Sequence, residues 1–557
     1  MSPLKVLIVG GYGTFGGRLV DLLSDDARLV LIVAGRSTQR AVEFCSPRTA
    51  QARLVATEFD RDGDVREQLR KWAPNVLVDA SGPFQSYGER RYQLIEACIA
   101  QHVQYLDLAD GAEFVDGVSA FDAAARSAGV SVLSGVSSFP VLTAALVRHL
   151  SVGMTRVATI RAGIAPSPYA GVGTNVIRAI ASYAGKSVAL RRGGQSVVAH
   201  PFTESIRFTI APPGKLPLRN TLFSLVDVPD LRALPKLWPE ADEVWVGAGP
   251  VPQILHRALI ACAWLVRWRL FPSLLPLAGL MSGLVNRLRW GEHRGGMFVT
   301  VNGLDGRQRE VERSWHLLAE GDDGPYIPSM AIEAVIRKML DGHPPAPGAR
   351  AAVHDLELSD YQALFAKRAI YVGSRDETRT IAAPLFERLL GDAWHGLPAA
   401  IKQLHTFSSE SEVSGRCVVE RGPGWLSNCI ASLFRLPAAG DDVPVSVRFI
   451  TQNGQERWLR TFGRRIFAST MRHGQGRSER LLCEKIGPCE FAQALVVDGE
   501  KLRFVMRRWS LFGIPLPLWL GPRSDSFECE DQGRFRFHVD ISHPLLGSIV
   551  RYRGWLQ

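Results

Sequence analysis

Glycines 11, 13 and 16, in the run Gly11-Tyr12-Gly13-Thr14-Phe15-Gly16, suit one kind of chemistry: holding a diphosphate against bare backbone. Gly11 permits a tight turn, Gly13 lets backbone N–H groups approach the phosphates, and Gly16 lets the next helix pack close to the preceding strand. Thr14 and Phe15 open that helix, where unsatisfied N–H groups and the positive dipole end favour an anion. The spacing alone says little in a chain with 52 glycines. Its context says more, because residues 5–9 (KVLIV) form a short apolar run before it and residues 18–23 continue it at helical period. A dinucleotide is the expected ligand.

The end of the second strand selects the nucleotide. An acidic residue about 20 positions past the glycines would bind the ribose 2′-OH of NAD. The sequence there reads Ala34-Gly35-Arg36-Ser37, without a carboxylate. The guanidinium of Arg36 can pair with a 2′-phosphate and Ser37 can add a hydroxyl, so NADP is expected ahead of NAD. A solvated loop arginine is the alternative reading of Arg36.

Six strands are needed to position these groups, and candidates fall at 4–10, 29–34, 53–57, 75–80, 103–106 and 130–133, with helical spacing between them. The expectation is an α/β fold with a doubly wound parallel sheet in the order 3-2-1-4-5-6. Ligands in such sheets lie outside the carboxyl ends of the strands, which marks Asp60, Ser81, Gly82 and Asp107. Asp60 falls where adenine contacts are common, and Ser81 and Gly82 where the nicotinamide half would pass. No catalytic residue can be assigned outright. Asp107 is the carboxylate best placed to meet a substrate, with a helix N-cap or turn role as the alternative.

The run GGYGTFG, followed by VDASGPFQSYGERRYQLIEACIAQHVQYLDLAD at 78–110, resembles the saccharopine dehydrogenase-like NADP-binding family. The resemblance is carried by Gly82-Pro83-Phe84, Tyr87-Gly88, Ala97-Cys98 and Tyr105-Leu106-Asp107. It continues to Gly324-Pro325-Tyr326-Ile327-Pro328 and covers about residues 1–355. It implies a Rossmann domain over 1–135 and an inserted α+β domain over 136–355. One departure stands out: many members carry Pro-Gly-Asp after the sixth strand, where this chain reads Ser137-Ser138-Phe139-Pro140-Val141-Leu142. Saccharopine itself is therefore not expected as substrate. From about 379 to 557 the chain is strand-rich, with hairpin signals at Asn453-Gly454, Asp498-Gly499 and Gln532-Gly533, and reads as an antiparallel sheet or half-barrel. GRRIFAST, FGIPLPLWLGP and HPLLGSIVRYRGWL resemble an uncharacterised domain family fused to such modules.

The composition excludes several classes. Eight cysteines without a C-x-x-C pair, and thirteen histidines without H-E-x-x-H, give no metal site. The net charge of +10 is concentrated in part at 255–294, where six arginines face one acid. A nucleic-acid partner is not expected: Arg457–Arg465 interleaves arginine with Trp458 and Phe462, but at strand period and beside acids. Met1 runs almost directly into the first strand, leaving no room for a signal peptide, so a cytoplasmic location is expected. Residues 254–290 hold two apolar runs, split by Arg267-Trp268-Arg269 and too short to span a bilayer. They read either as a monotopic hairpin lying peripherally on the inner face of a membrane, or as a buried pair or homodimer contact. Two functions are carried forward: an NADP-dependent oxidoreductase with a small apolar or lipid-like substrate, and a non-catalytic nucleotide- and lipid-binding protein at a membrane surface.

Overall fold

A computed structural model describes residues 3–379, 383–407, 410–452 and 455–557. It divides into two compact units, Met1–Arg207 with Thr221–Tyr371, and Phe208–Asn220 with Val372–Gln557.

The first sheet of unit 1 contains β1 (Leu4–Val9), β2 (Leu29–Gly35), β3 (Arg53–Glu58), β4 (Val76–Asp79), β5 (Gln104–Asp107) and β6 (Ser131–Ser134). All pair in parallel in the order 3-2-1-4-5-6, as the sequence leads one to expect. Val6, Leu7, Ile8, Leu77 and Val78 are wholly buried, as a parallel sheet covered on both faces by helices requires.

The rest of unit 1 begins with β7 (Met154–Ala165), the ribbon β8 (Val188–Arg192) and β9 (Gln195–Ala199), and β10 (Ser205–Phe208). β11 (Thr221–Leu225), β12 (Glu243–Ala248), β13 (Arg294–Asp305), β14 (Glu310–Glu320) and β15 (Gly348–Ala351) follow, and β16 (Ile370–Asp376) starts in unit 1 and continues into unit 2. β15 returns to the first sheet as a seventh strand beside β6. The second sheet has the order β10-β11-β12-β7-β13-β14-β16. Its β13–β14 hairpin is paired from Arg294↔Glu320 to Leu304↔Glu310.

Unit 2 carries β17 (Glu410–Arg421), β18 (Gly440–Gln452), β19 (Gln455–Phe462), β20 (Arg465–His473), β21 (Leu482–Ile486) and β22 (Cys489–Asp498). It continues with β23 (Lys501–Leu511), β24 (Ile514–Leu516), β25 (Arg523–Asp531), β26 (Arg534–His543) and β27 (Gly547–Leu556). The strands run β22-β21-β20-β19-β18-β17-β27-β26-β25-β23, and β22 pairs β23, so the sheet closes on itself with β24 appended to β23. The half-barrel expectation is thereby corrected to a closed antiparallel barrel; every pairing is antiparallel, and closure removes the exposed edges. The turns at Asp498-Gly499 and Gln532-Gly533 join adjacent strands as read, and the latter has positive φ at both residues (52° and 73°), which a type I′ hairpin needs. Asn453-Gly454 lies outside the described residues.

Candidate functional site

The strand β1 hands over to the helix Thr14–Leu23 through a loop that glycine makes feasible. Gly10 has φ +80°, and the N–H groups of Gly10 and Gly11 both donate to the Ala34 carbonyl at 2.8 and 2.9 Å. A Cβ on Gly11 would stand 2.9 Å from the Ile8 carbonyl oxygen, and one on Gly16 would run into the Gly10 carbonyl. These are the tight turn and the close helix approach that the spacing calls for. Gly13 and Thr14 are exposed, and no side chain caps the helix, so its opening N–H groups are available to a ligand. Ser329 Oγ donates to the Phe15 carbonyl at 3.0 Å, tying the helix Ile327–Leu340 to the loop from behind.

At the end of β2, Arg36 is exposed and Ser37 half-buried. Ser37 caps the helix Thr38–Cys45, its Oγ accepting from the Arg40 N–H at 3.4 Å. Tyr12 is the residue that sequence reasoning missed. Its hydroxyl accepts from the Ser37 N–H at 3.1 Å, and its ring lies so close over Gly35 that a Cβ there would sit 2.6 Å from it. An aromatic between two loop glycines, facing a glycine at the next strand end, was the available signal.

The end of β4 holds a polar cluster. Asp79 is fully buried and accepts from the Ser81 N–H (3.0 Å), the Ser81 hydroxyl (2.6 Å) and the Tyr87 hydroxyl (3.2 Å). Ser81 Oγ and Tyr87 OH lie 2.8 Å apart. The Arg61 guanidinium stacks 3.2 Å over the Tyr87 ring, with Nε and Nη2 buried and unpartnered among the described residues. Burial raises the Asp79 carboxyl and Arg61 opposes it; burial and then Asp79 hold the Tyr87 phenol well above its ordinary range, so it stays protonated. The cluster is a carboxyl-backed pair of hydroxyls able to hold or pass a proton. Asn175 Nδ2 donates to the carbonyls of Ser81 and Gly82 at 3.2 and 2.9 Å, fixing this turn from the inserted domain.

The remaining candidates are spread more widely. Asp60 is exposed past β3, where its carboxylate accepts from the Asp62 N–H at 3.0 Å. Asp107 is fully buried, accepting from the N–H groups of Ala109 (3.0 Å) and Gly135 (2.7 Å), and burial raises its carboxyl to about 7. These are the contacts of a turn-fixing residue.

Residues 254–290 fold as the helix Gln253–Arg267, a single turn at Leu275–Leu277, and the helix Ala278–Arg287. Trp268, Leu270, Phe271, Leu280 and Trp290 are exposed by 61, 65, 52, 64 and 73%, and Arg267, Arg269, Arg287 and Arg289 are exposed among them. Leu274 and Ala278 face inward. Among the described residues no helix is long and apolar enough to cross a membrane.

Residues 6–133 match the saccharopine dehydrogenase NADP binding domain, and residues 397–556 match a domain of unknown function, DUF4166. No curated protein matches the chain. Among solved structures, apo saccharopine dehydrogenase (L-Glu forming) from Saccharomyces cerevisiae is similar at 13% identity and a TM-score of 0.47, over 67% of this chain and 99% of that one. The WlbA dehydrogenase from Thermus thermophilus in complex with NAD and alpha-ketoglutarate is similar at 12% identity and a TM-score of 0.28, over 62% and 90%. The N-terminal sheet region is thus similar to the saccharopine dehydrogenase NADP binding domain over residues 6–133, and the C-terminal barrel to DUF4166 over residues 397–556.

Proposed function

We propose that this protein is an NADP-dependent oxidoreductase acting on a small apolar or lipid-like carbonyl or hydroxyl compound. The observation that carries the reading is a bare glycine loop beside an arginine, and no carboxylate, at the end of β2. The residues fit the nucleotide: Gly11 lets the loop turn tightly, Gly16 lets the helix pack close, exposed Gly13 leaves room for the pyrophosphate, and the amides of Thr14 and Phe15 receive its charge. Arg36 and Ser37, with Tyr12 bracing the strand end, receive the 2′-phosphate. When bound, the nicotinamide supplies the hydride. The turn at Ser81 and Gly82 orients that half, and the hydroxyls of Ser81 and Tyr87, held by Asp79, exchange the accompanying proton with the substrate oxygen. Asp107, opposite Asp79 on the neighbouring strand, fixes the turns after β5 and β6. The test is titration of the full-length protein with NADPH and NADH, followed by incubation of the NADPH complex with aliphatic aldehydes and ketones while nicotinamide absorbance is monitored. Tight NADPH binding with loss of absorbance supports the reading.

A second reading rests on the exposed arginine- and tryptophan-rich segment at 254–290, which suits peripheral contact with an anionic membrane. In that case the nucleotide is a structural or sensed ligand. Tight NADPH binding without turnover of any carbonyl compound favours it.

A further inference from the structure

The barrel of unit 2 is hollow. Side chains from every strand of the ring except β17 converge on a cavity of about 340 Å³. Along β19 the lining residues are Trp458, Arg460 and Phe462, the period of two that a barrel interior requires, and along β26 Phe535, Phe537, Val539 and Ile541 keep that period, with His538 and His543 also at the wall. The outer face is polar instead, carrying exposed ion pairs such as Arg503–Asp498 and Arg551–Asp540. This is the opposite sense from a barrel that crosses a membrane. Protein interiors are normally packed with few voids larger than a water molecule. A cavity of this size falls within the range of small-molecule sites.

We propose that this lumen binds a neutral, mainly apolar small molecule bearing a single polar oxygen, of the class of aliphatic or isoprenoid alcohols and ketones. The wall is aromatic and aliphatic apart from a few polar points. At the chief one, Arg460 donates to Ser469 Oγ at 2.7 Å and to Glu484 at 3.3 Å, and Gln493 donates to the same Glu484 at 3.1 Å. Both members of this ion pair are only 14% exposed. A second carboxylate at the wall, Glu528, is taken up by His405 at 2.6 Å. Arg460 is thus already neutralised from within, and an anionic ligand would have to break that pair and strand Glu484 in an apolar lumen. A hydroxyl or carbonyl can share the network without doing so. The helix at the cavity is also apolar: Ile430 and Phe434 line the cavity from the helix Trp425–Leu433 and the residue after it, while Trp425 and Leu433 there are exposed by 73 and 79%. The inference holds whatever the N-terminal unit does with its nucleotide.

The test uses the full-length protein and the neutral fluorophore aminoanthracene. Saturable, blue-shifted emission is expected, with decanol displacing the probe at least about tenfold better than decanoate, because the anion meets a compensated arginine. Met506→Trp, which fills the lumen, should abolish probe binding while NADPH binding persists. Glu484→Gln uncovers the Arg460 charge and should erase or reverse the preference for decanol. The proposal is overturned if the wild type shows no saturable binding, if decanoate competes as well as decanol, or if a folded Met506→Trp protein binds the probe undiminished. Should that variant not fold, the decanol–decanoate comparison and Glu484→Gln decide the matter alone.

Discussion

Arg36 is where one side chain is expected to decide the cofactor. Its guanidinium is exposed past β2, and hydrogen bonds to charged groups contribute about 1.5–3 kcal/mol. Arg36→Ala should therefore weaken NADPH about tenfold or more and leave NADH nearly unchanged, as measured by fluorescence titration; equal losses would remove the 2′-phosphate assignment. Gly13 tests the loop itself. A Cβ there would meet the Gly10 carbonyl oxygen at 3.0 Å, and the rest of a valine would stand where the phosphates must approach. Gly13→Val should fold but lose the thermal stabilisation that NADPH gives the wild type; retention of that stabilisation would mean the phosphate site lies elsewhere. The sequence alone located Asp107 at a strand end but not its environment, because one of its two backbone partners, the Gly135 N–H, comes from a distant turn. Its carboxyl ordinarily titrates at 3.8 and is raised to about 7 in the fold. Across that window the folded state holds a proton that the unfolded chain has released, so this group's stability is full at low pH and is lost as pH rises through about 7. Asn keeps the Oδ1 acceptor and cannot ionise. The melting temperature of Asp107→Asn relative to wild type should accordingly rise between about pH 5 and pH 8, and a flat difference would show that Asp107 does not titrate in this window.

At the scale of elements, strong periodicity was legible and weak periodicity was not. β1 and β2 are buried on both faces and announce themselves as apolar runs, whereas β15, Gly-Ala-Arg-Ala, has no pattern of its own and is a strand only because β6 offers it an edge. The Ser81–Tyr87–Asp79 cluster was half legible: the Gly-Pro-Phe turn was visible, but the approach of Arg61 from the loop after β3 is a tertiary event. The segment 254–290 was legible as two apolar runs, and the fold shows which side chains each run leaves outside. Leu270, Phe271, Leu280 and Trp290 are exposed while Leu274 is 3% exposed, so a surface test should spare Leu274, whose loss would open a cavity. If the segment rests on a bilayer, the full-length protein should pellet with anionic vesicles at low salt, each exposed arginine adding about 1 kcal/mol near the surface. Replacing Leu270, Phe271, Leu280 and Trp290 by serine should release it without lowering the melting temperature. A wild type that stays in the supernatant as a dimer, and a serine variant that becomes a monomer, would instead assign the patch to self-association.

On the scale of the whole molecule, the α/β character of the first half and the strand-rich character of the second could be read locally, but the closure of the barrel could not. Closure depends on β22 meeting β23 across Asp498-Gly499 while the same sheet runs round through all the other strands, and no local pattern reports that the ring is complete. Nor could the sequence show that the units are interleaved along the chain. Residues 208–220, inside the first unit by sequence, belong to the second by contact: the Val497 N–H donates to the Gly214 carbonyl at 2.9 Å, Arg375 Nε donates to that of Ala211 at 2.8 Å, and Leu216 packs against Leu481, Cys483, Ala492 and Ala494. Ile210, Ala211 and Leu218 are 1, 0 and 8% exposed as a result. A truncation after Tyr371 that keeps this excursion would turn those side chains out to water, an exposed apolar patch that promotes aggregation. The ends of the excursion lie side by side, since the Leu225 N–H donates to the Glu204 carbonyl at 3.0 Å and the Ser205 and Ser224 hydroxyls meet at 2.7 Å. A short Asn-Gly turn should therefore replace 208–220 at the cost of only Phe208, the last residue of β10, and leave β11 intact. The chain ending at Tyr371 with that turn should remain monodisperse and gain thermal stability from NADPH, while the same truncation with 208–220 retained should aggregate on heating. If both truncations behave alike by light scattering and nucleotide-dependent melting, the excursion does not depend on the barrel, and the division of the chain into these two units is wrong.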